Sequence, residues 1–214
     1  MISTFRQCQR QIGTGGQAHL ATSQDETEVA VPAAINPAPL GLCAFALTTF
    51  VLSAFNAQLF PAVGATILIG IALFYGGIAQ MLAGMWEFRV GNTFGGVVFT
   101  SYGAFWLAVG YSLQQNQLLV SHTAFAYFLL GWAIFTGMML LGALRTNLAL
   151  ITVFVVVLLT IVALTIAEFG GGAMWVQIGG WLGIIAAVLA WYTALAGLLV
   201  STKSAFHLPT WPMK

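Results

Sequence analysis

The chain has 214 residues, of which 60% are hydrophobic and only 5% are charged, and its formal net charge at pH 7 is +1. An ordinary soluble domain has about 25% charged residues, so this composition indicates an integral membrane protein. The near-neutral charge and the lack of a basic patch exclude a nucleic-acid-binding surface. The two cysteines, Cys8 and Cys43, fit neither a disulfide nor a metal site, and no metal or cofactor is expected.

Residues 1–35 form a polar leader rich in Ser, Thr, Gln and Gly, with a small acidic cluster. The leader lacks the apolar core that a secretory signal peptide needs near its start, so we expect it to stay uncleaved. Its low hydrophobicity cannot compensate the entropy that ordering would cost, which predicts a disordered tail. A membrane domain over residues 36–201 and a short C-terminal tail over residues 202–214 are expected to follow.

Six apolar runs of about 20 residues match the length that a hydrocarbon core of roughly 30 Å requires of a helix. The short connections between them predict an all-α bundle of six transmembrane helices. All six prolines lie outside the runs, so no proline-broken helix is expected, whereas glycine breaks stay open. The predicted spans are residues 41–60, 64–86, 93–113, 123–144, 148–169 and 175–200.

The positions of Lys and Arg predict the orientation of the bundle. Arg89 lies in the second loop, Arg145 in the fourth and Lys203 in the C-terminal tail, while the other three loops contain neither residue type. With six spans, all of these segments lie on one side. The positive-inside rule therefore predicts a multi-pass protein of the plasma membrane, or of the inner membrane in a bacterium, with both termini in the cytoplasm.

The first span has a marked start. Pro37 and Pro39 are tolerated only in the first turn of a helix, and Asn36 before them is suited to be the N-cap.

One face of the first span is partly polar. Helical spacing puts Phe45, Thr49, Leu52 and Asn56 on this face, with Ser53 beside it. The polar groups of this face either form hydrogen bonds within and between helices or line a permeation pathway. Their spacing leaves both interpretations open.

Ionisable side chains are missing from the middle of every predicted span, which argues against a mechanism built on a buried carboxylate pair. We interpret Glu168, near the end of the fifth span, as an interfacial residue facing water, with proton coupling as the alternative. Glu87 and Arg89 are expected to be solvated in the second loop, with a role as a cytoplasmic gate as the alternative. No Ser–His or Asp pair lies at membrane depth, so no enzyme active site is expected.

Hydroxyl and amide groups are the polar groups left inside the predicted bundle, and such groups can replace part of the hydration of a small carboxylate without holding it tightly. Gln80 is the one amide on a face of small residues in the second span. Phe99, Tyr102 and Trp106 share a face of the third span and could narrow a pore. Ordinary helix packing also explains both faces, and spacing alone slightly favours it.

Three segments resemble the acetate uptake transporter family, also called the succinate-acetate permeases. The segments are NPAPLGL at residues 36–42, FYGGIAQMLAGMWEFRVGNTFG at residues 74–95 and FTSYGAFW at residues 99–106. The resemblance extends over roughly residues 36–200. It implies uptake of acetate, and in some members succinate, with proton-linked and channel-like passage both proposed. It also implies a homohexamer with one pathway in each subunit.

The resemblance implies a hydrophobic constriction made by a Phe of the first span, the Tyr of the FTSYG motif and a Leu of the fifth span. Phe45 and Tyr102 match the first two positions, and we choose Leu159 for the third, with Leu158 as the alternative. A ring of this kind is poorly hydrated, so small monocarboxylates or their neutral acids should pass most easily. The implied entrance and substrate-binding residues are Asn36, Pro37, Ala38, Pro39, Leu40, Gly41, Leu42, Thr48, Thr49 and Gln80. A non-transporting scaffold or sensor is the alternative function.

Overall fold

A computed structural model describes residues 35–61, 66–115 and 121–213. Six of its helices are long and apolar enough to cross a membrane, which confirms the predicted six-helix bundle. They are α1 (Ala38–Asn56), α2 (Thr66–Arg89), α3 (Thr93–Gln114), α4 (His122–Ala143), α5 (Leu148–Gly171) and α6 (Ala173–Ser201). The predicted disorder of the leader concerns residues outside the described ranges.

Asparagine side chains cap α3 and α5 at the end of the bundle where α1 begins, whereas the N-cap of α1 is Pro37 and not the predicted Asn36. The Oδ1 atom of Asn36 accepts from the Ala38 backbone N–H at 3.2 Å at the start of α1. Asn92 caps α3 through Gly95, and Asn147 caps α5 in the same way. Helix α6 also ends here. We call this end of the bundle the termini side and the opposite end the far side.

Helix α2 is not a uniform α-helix. A π-helical segment, Ala72–Ala79, separates α-helical Thr66–Ile71 from Gln80–Arg89. Gly76 in this segment packs directly on α1, because a Cβ atom there would lie 2.6 Å from the Thr48 Oγ1 atom. Such π segments are frequent at functional sites, and here the segment ends one residue before Gln80. No proline or other local signal predicted it.

Helices α1, α5 and α6 approach closely through the small residues of α6. A Cβ atom on Gly183 would clash with the Ser53 side chain of α1, and one on Gly179 would lie 2.6 Å from Leu164 of α5. This pair of glycines therefore brings helices together within one subunit. Small residues at such positions let helix backbones approach in a membrane, where packing rather than apolar burial drives association.

The segment after α6 returns to the start of α5 rather than leaving the bundle. Backbone N–H groups of Leu148 and Met213 donate to the carbonyls of Trp211 and Thr146, each at 3.0 Å. The Tyr192 hydroxyl of α6 donates to the Pro209 carbonyl at 2.6 Å. These bonds hold the C-terminal segment against the termini side of the bundle.

Candidate permeation pathway

A far-side cavity of about 450 Å³ lies among the helices on the far side of the bundle. The partly polar face of α1 lines it, including Thr49, Ser53 and Asn56. Trp106 of α3 and Thr160 of α5 lie on the same cavity. The α1 face therefore borders open space as well as packing on neighbouring helices.

A termini-side cavity, also of about 450 Å³, lies at the other end of the bundle. Three asparagines at helix N-termini line it, Asn36, Asn92 and Asn147, together with residues near the C-terminal end of α6. Leu208 and Thr210 of the C-terminal segment complete its wall. Three helix N-termini thus converge on this cavity, and the partial positive charge of a helix N-terminus favours anions.

The side chains of Phe45 and Tyr102 contact each other between the two cavities. Their ring centroids are 5.8 Å apart at an interplanar angle of 65°, and the two residues are only 8% and 4% exposed. A central gap of about 20 Å³ lies against both rings. Because a single water already needs about 10–15 Å³ of such space, the gap between the two cavities has room for about one water molecule and for no larger solute.

Tyr102 is held in place by α4. Its hydroxyl lies 2.7 Å from the Thr136 Oγ1 atom, and Thr136 donates its own hydrogen to the Trp132 carbonyl at 2.7 Å. Tyr102 is therefore the donor in the bond between the two hydroxyls. Its ring also packs against Trp132 and Phe135, with centroid distances of 5.7 and 5.8 Å. The sequence shows Thr136 as one buried hydroxyl among several, with nothing to mark this role.

Four residues of α5, Leu150, Val153, Phe154 and Val157, line the central gap, and Val157 is the one that also borders the far-side cavity. It is 5% exposed and lines both the far-side cavity and the central gap together with Phe45 and Tyr102. The structure does not bring Leu159 to this place, since its side chain is 49% exposed on the outside of the subunit. Two residues correspond to about 200° around a helix, so Leu159 and Val157 point in nearly opposite directions. Leu158 packs partly buried against the core without lining the gap.

Three buried polar atoms along the pathway have no hydrogen-bond partner within the described ranges. They are the Thr49 hydroxyl oxygen, the Trp106 indole nitrogen and the Gln80 carbonyl oxygen. Thr49 and Trp106 line the far-side cavity, and Gln80 lines the central gap. Buried polar groups are normally satisfied, so unpaired ones beside cavities are candidates to bind a polar substrate. Trp106 was predicted only as an aromatic wall, because spacing does not show where its N–H points.

Thr48, one of the predicted substrate-binding residues, lies away from the cavities. It is fully buried between α1 and α2, donates to the Ala44 carbonyl at 2.9 Å and lines none of the cavities described above. Its Oγ1 atom also lies 3.5 Å from the Ile71 carbonyl, directly before the π segment. Thr48 therefore connects the two helices.

The NPAPLGL segment divides between the termini-side cavity and packing contacts. Asn36, Ala38, Pro39 and Leu42 line that cavity. Of the remaining residues, Pro37 is buried and Leu40 is exposed. Gly41 packs directly against the Phe99 ring.

The carboxylates of Glu168 and Glu87 lie at opposite ends of the bundle. Glu168 lies at the far side, where its Oε2 atom is 2.7 Å from the Nδ1 atom of His122, and both residues border the far-side cavity. The prediction that Glu87 is solvated is wrong, because this residue is 2% exposed. It packs on the first turn of α3, where Asn92 donates to it at 2.8 Å. Arg89 is exposed as expected.

The sequence profile of the GPR1/FUN34/yaaH family matches residues 20–214. The chain belongs to this family. It is 40% identical over 193 residues to acetate permease A of Emericella nidulans, an alignment that covers 81% of this chain and 65% of that protein. It is 39% identical over 168 residues to the succinate-acetate/proton symporter SatP of Escherichia coli, covering 77% and 88% of the two chains.

The GPR1/FUN34/yaaH fold is also evident in three dimensions. The solved structure of the bacterial acetate channel SatP superposes with a TM-score of 0.75 at 35% identity, covering 82% of this chain and 98% of that one. The chain spans 62–65% of the length of the fungal relatives that it matches. The predicted family and the multi-pass membrane architecture are confirmed.

Proposed function

We propose that this protein carries acetate, and other small carboxylates such as succinate, across a membrane through a pathway inside each subunit. The observation that supports this most directly is the alignment of two cavities of equal size on either side of one contact between Phe45 and Tyr102. Relatives are named as an acetate permease and as a succinate-acetate/proton symporter.

The lining of the pathway suits a small, weakly held carboxylate. Thr49 and Trp106 offer a hydroxyl and an indole N–H on the far side, and the Gln80 amide lies at the gap itself. A carboxylate that passes from one of these groups to the next exchanges its hydration for neutral hydrogen bonds, which allow release as well as binding. The apolar Phe45–Tyr102 contact excludes large or strongly hydrated ions.

The termini side faces the cytoplasm in this proposal, because Arg89, Arg145 and Lys203 all lie at that end. A carboxylate entering the cell would leave through the cavity on which three helix N-termini converge. Asn36, Ala38, Pro39 and Leu42 of residues 36–42 then line the cytoplasmic opening of the pathway. Assembly as a homohexamer in the plasma or inner membrane is part of the same proposal, and cross-linking in native membranes followed by mass determination tests it.

Passage either carries a proton with each carboxylate or follows the anion gradient alone, and both modes are compatible with an uncharged lining. Glu168 is the coupling candidate from the sequence, and it lies at the far-side mouth beside His122.

Purified protein in liposomes tests the proposal. Labelled acetate uptake is measured while the pH gradient and the voltage are imposed independently, and uptake into protein-free vesicles is subtracted because neutral acetic acid crosses lipid. We expect uptake above that background, with accumulation against the acetate gradient under a pH gradient alone if a proton is carried. Flux that follows only the electrochemical gradient of acetate indicates a channel. If no carboxylate shows protein-dependent flux, the transport function is contradicted and a scaffold or sensor is favoured.

A further inference from the structure

Glu87 is a buried carboxyl group that the pathway described above does not use. Its side chain is 2% exposed, although it lies only two residues before the end of α2. Glu87 and Glu168 are the only Asp or Glu residues between residues 35 and 214. Burying an ionised carboxylate at the edge of a membrane is costly unless its oxygens are well paired, so such residues usually have a function.

The pairing of the Glu87 carboxyl group is incomplete. Its Oε2 atom accepts from the Asn92 side-chain nitrogen at 2.8 Å, whereas its Oε1 atom has no hydrogen-bond partner in the part of the chain that the structure describes. The carboxyl group lies close to the first turn of α3, since a Cβ atom on Gly95 would be 3.0 Å from the Glu87 Cδ atom. That helix N-terminus favours the ionised form, while burial and the unpaired oxygen favour the neutral form.

The elements packed against Glu87 contain few other titratable groups. Helices α1 and α3 contact this part of α2 and contain no Asp, Glu, Lys, Arg or His. Their titratable side chains are Cys43 on α1 and Tyr102 and Tyr111 on α3, while α2 itself adds Tyr75 and Arg89. Arg89 points outward over the Trp86 ring, with its Cζ atom 5.6 Å from the ring centroid. A proton is thus the simplest way for Glu87 to change its charge.

Asn92 connects Glu87 to the pathway. Asn92 lines the termini-side cavity, and its side-chain nitrogen donates to the Glu87 carboxyl group. A carboxylate substrate that reaches Asn92 is therefore one amide group away from Glu87. Two like charges at such a distance disfavour each other, which is relieved when one of them takes up a proton.

We infer that Glu87 binds the proton that accompanies a carboxylate through the termini-side cavity. A proton that enters with the substrate from the far side binds one Glu87 oxygen and changes its charge from −1 to 0; its release to water at the termini side restores the charge. Because each bound species then favours the other, substrate and proton occupy this end of the pathway together. The inference rests on the proposed transport of carboxylates.

The test compares wild-type protein with Glu87→Gln in the liposome assay with separate pH and voltage gradients. Glutamine keeps the acceptor for Asn92 and is permanently neutral, so acetate should cross without a proton. We expect voltage-driven acetate flux to persist and pH-driven accumulation to fall to the level of protein-free vesicles. The matched control is Arg89→Gln, which removes one charge at the same helix end and should keep pH-driven accumulation.

Two results overturn the inference. The first is pH-driven accumulation by Glu87→Gln at the wild-type level. The second is wild-type acetate flux that follows the voltage alone. Neither result contradicts the transport function. Absence of any wild-type flux would instead contradict the transport function itself.

Infrared difference spectroscopy decides the question if Glu87→Gln does not fold. In Glu168→Gln protein, Glu87 is the only carboxyl side chain left in residues 36–201. Addition of carbon-13-labelled acetate should produce the C=O stretch of a newly protonated carboxylic acid, separated from the substrate band by the isotope. If folded protein shows no such band, the inference is overturned.

Discussion

The two ends of the pathway have cavities of the same size but different chemistry. The far-side cavity has aromatic walls with scattered hydroxyls, and its carboxylate, Glu168, lies at the rim paired with a histidine whose side chain is 70% exposed. The termini-side cavity is lined by three asparagines at helix N-termini, and the carboxylate beside it, Glu87, is buried. A rim carboxylate is screened by water, whereas a buried one responds strongly to a nearby charge. The termini side is therefore better suited to sense an anion.

The largest expected effect comes from removing the contact that separates the two cavities. Phe45→Ala or Tyr102→Ala should open the central gap and raise succinate flux relative to acetate flux by about tenfold or more. Competition between labelled acetate and succinate in liposomes measures this ratio. Phe50→Ala is the matched control, because Phe50 packs on Trp191 and lines none of these three cavities. Unchanged selectivity in both gap variants would contradict the constriction.

The next effect separates the two candidates on α5. Val157→Ala should widen the gap and relax selectivity in the same direction as Phe45→Ala, but less, because a smaller side chain is removed. Leu159→Ala should leave selectivity unchanged, since that side chain points away from the gap. The same competition assay measures both variants. If only Leu159→Ala relaxed the selectivity, Leu159 would be the constriction residue of α5, as the family resemblance implies.

A smaller effect is expected from the anchor of Tyr102. Thr136→Val keeps the shape of the side chain but leaves the buried Tyr102 hydroxyl without its acceptor, which should cost about 1–3 kcal/mol of stability. Thermal unfolding in detergent measures the loss, and the flux ratio of succinate to acetate should rise modestly as the ring loosens. Thr165→Val serves as the control, because the Thr165 hydroxyl donates only to the Ile161 carbonyl of its own helix. Equal behaviour of the two variants would remove the anchoring role.

The smallest effect is expected at the far-side mouth. Glu168→Gln removes a pair in which the His122 side chain is 70% exposed and the Glu168 side chain 22%, and pairs with one solvated partner contribute about 1 kcal/mol or less. We therefore expect near wild-type uptake and preserved pH-driven accumulation in the liposome assay. If this variant lost accumulation while Glu87→Gln kept it, the coupling group would lie at the far side and the contrast between the two ends would be reversed.

Much of the pathway followed from local patterns. Hydropathy runs predicted all six spans, and helical spacing put Phe45 and Thr49 on one face of α1, which lines the far-side cavity. The choice of Leu159 came from a loose alignment in a helix that is apolar on every side, where pattern does not distinguish inward from outward residues. The π segment before Gln80 also lacks a local signal, since it depends on the packing of Gly76 against α1.

The sequence by itself determined that this protein is a six-helix membrane bundle of the GPR1/FUN34/yaaH family, because span length, hydropathy and family motifs are properties of contiguous residues. Only the tertiary structure decided that Glu87 is buried beside Asn92, that Thr136 bonds to Tyr102 and that Val157 lines the central gap. Each of these facts depends on which faces of separate helices meet. That choice is made by the packing of the whole bundle, where the cost of a buried charge or an unpaired hydroxyl is set by neighbours distant in the chain.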